Sequence, residues 1–396
     1  MADLAIHGGP PVRGSLLPYG HQDIDDDDIE AVVRILRSDW ITTGPTVREF
    51  EDAFAASVGA RHAVSFSSGT AALHGAAFAA GLGPGMEAIT TPLTFCATAN
   101  CVIYQGATPV FADVTPDTMN IDPAEVARRI TPSTRAVLPV DFAGHPADLD
   151  AILELARSHE LVVIEDASHA LGAEHRGRRV GSISHMTVFS FHPVKHVTTG
   201  EGGMVATDDP DLAARLRLFR NHGIDSDARN RQASGQWHYE MVVLGYNYRL
   251  TDIASALGLA QLRRLEGNLR SRRRIARLYD EAFSGLPEIV RPVERPGVSS
   301  AWHLYPIRVD VPRLRFTRAE VFAALRAENI GVNVHYIPVH HHPYYRERFG
   351  YQGGEYPRSE ACYESLISLP MFHAMTDQDV DDVIAAVVKV MEHCQR

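Results

Sequence analysis

Short apolar runs recur through the first half of the chain, at 62–66, 87–90, 108–112, 136–140, 161–165 and 186–190, with helical patterns or longer connections between them. The runs are nearly continuous rather than alternating, as expected of strands buried on both faces. Strands and helices in alternation predict a mostly parallel sheet with helices on both sides. In such a sheet ligands gather at the carboxyl ends of the strands, so every loop after a strand is a candidate site wall. Ahead of the series, residues 1–20 contain Gly8-Gly9-Pro10-Pro11 and Pro18-Tyr19-Gly20 and predict an irregular arm. The acids Asp23, Asp25, Asp26, Asp27 and Asp28 then cap and charge the start of a helix. A calcium loop would need glycine where Asp28 stands. That helix carries Ile29, Val32, Val33 and Leu36 at the spacing of a buried face, and a second helix carries Phe50 and Phe54 on one side.

Near residue 250 the texture changes. Thr251-Asp252 opens a long helical pattern reaching about residue 284. A strand at 303–309, a helix at 318–328, a strand at 331–336 and a final helix from Asp377 follow. The pattern predicts an α/β protein with a large domain over 1–250 and a smaller C-terminal α+β domain over 251–396, joined by the long helix. The 396-residue length agrees, since single cores stop growing before that size.

Composition narrows the function. The chain is 45% hydrophobic and 22% charged, which is ordinary for a globular protein, and its net charge of −11 argues against nucleic acid as a partner. The basic run at 263–277 lies in a helical pattern and reads as a solvated face. Cys96, Cys101, Cys362 and Cys394 are too scattered for a disulfide framework. The opening Met1-Ala2-Asp3-Leu4 lacks the blocks of a signal peptide, and no apolar run reaches membrane-spanning length. A cytoplasmic protein with no membrane partner is the expectation. Gly81-Leu82-Gly83-Pro84-Gly85 follows a helix rather than a strand, so it reads as a helix stop and not a dinucleotide loop. His340-His341-His342 would point to opposite sides if the segment is extended, so no metal site is expected there.

Four strand-end loops carry the candidate chemistry. Between the runs at 186–190 and 204–207, Ser190-Phe191-His192-Pro193-Val194-Lys195 is followed by Gly200, Gly202 and Gly203. A lysine held in such a loop can lose its proton and attack a carbonyl to form a Schiff base, although taken alone it reads rather as a surface lysine on a turn. Ser67-Ser68-Gly69-Thr70 precedes the helical Ala71-Ala72-Leu73 and offers free N–H groups and a positive dipole end to a phosphate, or simply a good N-cap. Thr91-Pro92-Leu93-Thr94-Phe95 puts an aromatic at a strand end, for a planar ring or for the core. Glu165-Asp166-Ala167-Ser168-His169 puts a carboxylate where it can pair with a protonated ring nitrogen. Lysine, phosphate cradle, aromatic and aspartate together are the parts that hold pyridoxal phosphate.

Those motifs, with Gly245-Tyr246-Asn247-Tyr248-Arg249-Leu250-Thr251-Asp252, make the chain resemble the DegT/DnrJ/EryC1/StrS sugar aminotransferases over essentially its whole length. The resemblance implies a fold-type I transferase dependent on pyridoxal 5'-phosphate. It implies that Lys195 forms the Schiff base, that Asp166 contacts the pyridine nitrogen and that Phe95 stacks on the ring. It also implies that His169, often Gln in the family, lies beside the ring hydroxyl. Gly69, Thr70 and Ser190 would hold the phosphate, and Asn247 would reach the phosphate of a second subunit in a homodimer. Pro18-Tyr19-Gly20, Ser38-Asp39-Trp40, Asp141-Phe142-Ala143-Gly144-His145 and Asn333-Val334-His335-Tyr336-Ile337-Pro338 are most similar to the branch serving pseudaminic acid biosynthesis. That branch aminates a UDP-linked 4-keto-6-deoxy-N-acetyl sugar with glutamate as donor. By the same likeness Tyr19, Asp39, Trp40, Ile41, Thr42, Asn333, Val334, His335 and Tyr336 line the nucleotide-sugar pocket. Members acting on 3-keto or on dTDP- or GDP-linked sugars share much of this pattern. Dehydratases on the same scaffold carry histidine where Lys195 stands, and a regulatory relative would bring a DNA-binding module that has no segment here.

Overall fold

The computed structural model describes residues 3–226, 235 and 237–395. In chain order the strands of its first half are β1 (His62–Phe66), β2 (Glu87–Thr90), β3 (Thr108–Phe111), β4 (Thr134–Leu138), β5 (Val162–Asp166), the two-residue β6 (Glu174–His175) and β7 (Arg178–Arg179), β8 (Met186–Ser190) and β9 (Gly203–Thr207). Seven of them make one sheet in the order β1-β9-β8-β5-β4-β2-β3. Each of the six apolar runs of the first half forms a strand. The run at 136–140 pairs slightly earlier, because Pro139 has no N–H for the ladder, and Val140 keeps only a single bridge to Asp166. The sheet is parallel from β8 to β3. Only β9 runs the other way, between β8 and β1, with Ser190 opposite Gly203 and Phe66 opposite Gly203.

The strands are buried on both faces, as their continuous apolar sequence requires. Val64, Phe66, Val188 and Val205 pack on one side with Ala72, Ala76 and Leu216. Ala63, Phe189, Met204 and Ala206 pack on the other with Phe50, Phe54 and Phe191. The ring of Phe54 lies 5.1 Å from that of Phe189 and 5.5 Å from that of Phe191. Each such side chain, fully buried, contributes on the order of 1.5–3 kcal/mol.

The first helix, Asp26–Leu36, turns a different face inward from the one its apolar spacing predicts. Ile29 and Leu36 are 53% and 58% exposed, whereas Asp28 and Ala31 are buried. The cause is polar. Asp28 Oδ2 accepts from Gln261 Nε2 at 2.6 Å and from Arg264 at 2.5 Å, and Asp25 and Asp28 close a capping box. That anchor fixes the helix's rotation, and Ala31 meets Ala256 and Ala260 on the helix Asp252–Arg263.

The helical pattern from 252 to 284 forms two helices, Asp252–Arg263 and Leu265–Phe283, meeting at Arg264. The basic run within it is not uniformly solvated, because Arg272 is completely buried and donates to the carbonyls of Trp302, His303 and Met371. Beyond it, β10 (Ile289–Val290), β12 (Tyr305–Val309) and β13 (Leu366–Leu369) form a three-stranded antiparallel sheet, and β11 (Val298–Ser299) joins β6 and β7. The helices Arg318–Ala327 and Asp377–Cys394 cover the three-stranded sheet. No strand forms at 331–336. Asn333 makes one bridge to Ser368, and its own Oδ1 takes the N–H of Val334 at 2.8 Å, which competes with a ladder.

Packing crosses residue 250 at both ends of the chain. Leu4 and Leu17 belong to the core of the C-terminal sheet, and Glu328 accepts from the N–H groups of Ala5 and Val12 at 2.9 Å each. Conversely, Leu265 and Leu269 join the core of the large sheet. Among the described residues no helix is long and apolar enough to cross a membrane.

Candidate active site

Strands β1, β2, β5 and β8 point the same way, so their carboxyl ends share one edge. The loops carrying Gly69, Phe95, Asp166 and Lys195 follow those four strands. The hairpin from β8 to β9 fixes the lysine. Phe191 N donates to Gly202 O (2.9 Å), Thr199 N to Phe191 O (3.0 Å) and Lys195 N to His192 O (2.9 Å). Phe191 and Val197 are buried and anchor the loop. Burial lowers the Lys195 amine to about 8; Asp166 opposes this by attraction and Arg272 reinforces it by repulsion. The amine is therefore still mostly charged at neutral pH, but with a far larger nucleophilic fraction than an ordinary lysine has.

Asp166 ends β5. Its Oδ2 accepts from Thr98 Oγ1 at 2.7 Å, and its Oδ1 accepts from Ser168 Oγ at 2.6 Å and Ser168 N at 3.1 Å. These donors hold the carboxylate in one orientation. Phe95, by contrast, is 56% exposed, an unusual position for a large apolar ring at the end of a buried strand. The helix Gly69–Ala79 begins at the cradle, with Ser68 as its cap. Its first N–H groups have no intrahelical acceptor. A Cβ on Gly69 would sit 2.9 Å from the Cβ of Ser190, so only glycine lets the two loops approach.

A cluster of neutral imidazoles surrounds the amine. His169 Nε2 lies 3.0 Å from Tyr336 Oη, its ring is 4.4 Å from that of His303, and its Nδ1 is buried without a partner. Burial, then the charge of Lys195, holds His169 and His303 well below the ordinary histidine value. His335 falls to about 4 for the same two reasons. Its Nδ1 lies 2.9 Å from Ser368 Oγ, its Nε2 lies 3.4 Å from Asn333 Nδ2, and its ring is 5.2 Å from that of Tyr19. Tyr336 is 5.9 Å from Phe95 by ring centres. Val334, between Asn333 and His335, is half-buried. The arm comes close as well, since a Cβ on Gly20 would touch Val194 at 3.4 Å.

One chain therefore brings together Gly69, Thr70, Phe95, Asp166, His169, Ser190, Lys195, Tyr19 and the 333–336 segment. Two other groups lie elsewhere. Asn247 is exposed in a single bridge to Asn221. Asp39, Trp40, Ile41 and Thr42 sit against the start of the helix Asp252–Arg263, with Thr42 bridged to Thr251 and Asp252 N donating to Ile41 O at 3.1 Å. Among the described residues, no hydrogen bond or ring contact joins that loop to the Lys195 cluster. Sequence reading missed Thr98, His303 and Arg272. Thr98 opens the helix Ala97–Tyr104 just after the strand-end loop, with its Oγ1 3.0 Å from that of Thr94. The other two are brought in from beyond residue 250.

The residues fit pyridoxal phosphate. The Cβ-free cradle with its helix N-terminus suits the phosphate, the exposed ring of Phe95 suits a planar heterocycle, and the fixed Asp166 carboxylate suits a protonated ring nitrogen. The unpartnered His169 Nδ1 is a polar group with a bond still to make.

The model of the DegT/DnrJ/EryC1/StrS aminotransferase family matches residues 22–388. The chain is 46% identical over 382 residues to the spore coat polysaccharide biosynthesis protein SpsC of Bacillus subtilis strain 168, covering 96% of this chain and 98% of that one. Its fold is similar to Helicobacter pylori PseC, an aminotransferase involved in the biosynthesis of pseudoaminic acid, with a TM-score of 0.89, 32% identity and coverage of 96% and 100% of the two chains. It is similar also to the PLP form of the putative sugar aminotransferase Spr1654 from Streptococcus pneumoniae, with a TM-score of 0.88, 31% identity and coverage of 96% and 99%.

Proposed function

The chain belongs to the DegT/DnrJ/EryC1/StrS aminotransferase family, as a sugar aminotransferase dependent on pyridoxal phosphate, and we propose that it transfers an amino group from glutamate to a UDP-linked 4-keto-6-deoxy-N-acetylhexosamine. The observation that carries this reading is the pairing of a buried amine of lowered basicity, Lys195, with the fixed carboxylate of Asp166 at neighbouring strand ends. The likeness to an aminotransferase of pseudoaminic acid biosynthesis supports the choice of sugar.

When bound, pyridoxal phosphate supplies an aldehyde that takes up amines and a ring that draws electrons from bonds beside the captured nitrogen. The protein does the rest. Lys195 Nζ would anchor the cofactor and, when free, serve as the group that accepts and returns the proton of the donor carbon. Asp166 would pair with the protonated ring nitrogen. Gly69, Thr70 and Ser190 would hold the phosphate, and Phe95 would lie against the ring. Tyr19, Asn333, Val334, His335 and Tyr336 bind the sugar nucleotide. The low basicity of His169, His303 and His335 keeps extra positive charge away from Lys195.

The active unit is a homodimer in this reading. The segment before Asn247 exposes Trp237, Met241 and Leu244 at 84%, 64% and 71%, which makes an apolar strip suited to a second copy. Asn247 then reaches the partner's phosphate, and Asp39, Trp40, Ile41 and Thr42, held at Thr251 and Asp252 a few residues further on, reach the partner's sugar pocket.

Two results are expected. Asp166→Asn keeps cofactor binding but lowers turnover roughly 100- to 1,000-fold, the scale of losing one pre-organised electrostatic group. Near-normal turnover in that variant would remove Asp166 as the partner of the ring nitrogen. Capture of pyridoxal phosphate by the cofactor-free chain accelerates as pH rises through about 8 and then levels off, because only the neutral Lys195 amine attacks. An exposed lysine would still be accelerating near 10. Stopped-flow absorbance across the pH range reads the difference.

The substrate is tested by incubating the holoenzyme with glutamate and a panel of UDP-, dTDP- and GDP-linked 4-keto and 3-keto sugars, with products identified by mass. Amination of the UDP-linked 4-keto-6-deoxy-N-acetyl sugar well ahead of the others is expected. Preference for a 3-keto sugar or another nucleotide would overturn this choice while leaving the aminotransferase chemistry intact.

A further inference from the structure

We propose that His340, His341 and Glu360 form a binding site for one divalent metal ion of the zinc class, separate from the aminotransferase site. The sequence argued against this, because consecutive histidines in an extended segment diverge. The segment is not extended. Val339–His341 is a 3-10 turn, and it brings both imidazoles to the same carboxylate. His340 Nε2 lies 2.9 Å and His341 Nε2 lies 3.6 Å from Glu360 Oε1, and the three ligand atoms all fall within 4.8 Å of one another. Ligand atoms on a tetrahedral zinc, bonded at about 2.0–2.2 Å, are separated by roughly 3.3 Å. The first two distances straddle that value, and the third is no more than 4.8 Å.

The surroundings are those of a metal site. His340 is fully buried, whereas the side chains of His341 and Glu360 keep 22% and 18% of their exposure, so a water can complete the coordination from the solvent side. Gly354 N donates to both carboxylate oxygens of Glu360, at 2.8 and 2.9 Å, and so fixes their orientation as an outer-shell donor does. Two imidazoles and a carboxylate are a ligand set for zinc, cobalt or nickel rather than for calcium or magnesium, which prefer oxygen alone. Coordination at His340 Nε2 replaces its hydrogen bond to Glu360 Oε1 with a shared metal ion and moves that ring's proton to Nδ1.

Position gives such an ion a task. Val339 N donates to Pro92 O at 2.8 Å, three residues before the ring of Phe95, and Tyr345 Oη donates to Asn100 Oδ1 at 2.7 Å on the helix that follows it. An ion joining the turn to the helix Pro357–Ser365 would brace this wall from outside. The class of ligand is a single borderline cation, held without any part in amino transfer.

The test uses holoenzyme dialysed against a chelator and then titrated with zinc ion, followed by calorimetry and by thermal unfolding. The native protein is expected to bind one ion per chain and to melt at a higher temperature when it is bound. His341→Ala, at a partly exposed position, should weaken binding at least tenfold and abolish the thermal shift, and Glu360→Gln should weaken it similarly. Both variants retain the cofactor, so any zinc held by the cofactor itself appears equally in all three. Absence of saturable binding in the native protein, or binding that both variants leave unchanged, would overturn the proposal.

Discussion

Lys195→Ala is expected to abolish turnover, with a loss of roughly 10,000-fold or more, the upper end of what a positioned proton carrier supplies. The same atom anchors the cofactor and moves the proton, so nothing nearby can replace it. Of the groups around it, His169, His303 and His335 are all held below the ordinary histidine value by burial and by Lys195 itself. The fold should survive. Phe191 and Val197 anchor the loop independently, and its backbone bonds to Gly202 and His192 do not involve the amine. Removal of an amine whose charge is disfavoured by burial costs the folded state little. Circular dichroism and melting temperature should match the native protein while 2-oxoglutarate release from glutamate disappears. Substantial turnover by the variant would mean that another group carries the proton.

The second large effect concerns assembly, and it is a gain rather than a loss. Lys195→Ala and Asn247→Ala chains should each be inactive, or nearly so, alone. Asn247 is exposed and lies apart from the Lys195 cluster of its own chain, beside the apolar strip at Trp237, Met241 and Leu244. In a two-fold dimer with exchanged Asn247 side chains, a mixed pair has one site with both defects and one with neither. Mixing the variants and allowing subunits to exchange should therefore restore activity, approaching half the native value per mixed dimer. No recovery, despite exchange demonstrated by mass, would return Asn247 to its own chain, where it ends a turn ahead of Thr251.

The sequence announced most of the sheet because its strands are buried on both faces, and burial writes itself as continuous apolar runs. It announced the four strand-end loops for the same reason, since Gly69, Phe95, Asp166 and Lys195 each follow such a run. Where reading failed, a polar contact across the fold had overruled a local pattern. The helix Asp26–Leu36 has an apolar stripe at helical spacing, yet Asp28 is pulled inward by Gln261 and Arg264 and turns the stripe out. The basic run at 263–277 reads as a solvated face, yet Arg272 is drawn into the interior by three carbonyls from distant segments. The segment 331–336 has the composition of a strand, yet Asn333 bonds its own neighbour and leaves the place beside β12 to Leu366–Leu369. The first two depend on partners far away in sequence, which no local window contains, whereas the third turns on a side chain bonding the next backbone N–H. His303 joined the site from a distant stretch beyond residue 250.

The most direct test of the account is to identify the atom that carries the cofactor. Purified protein loaded with pyridoxal phosphate should absorb in the visible, and reduction with borohydride should fix the cofactor irreversibly to one peptide. Proteolysis and mass spectrometry should find it on the peptide containing Lys195, at one equivalent per chain, with the label absent from Lys195→Ala. Labelling of Lys389, the other lysine of the sequence, in place of Lys195, or a protein that takes up no cofactor at all, would mean that Lys195 does not carry the cofactor.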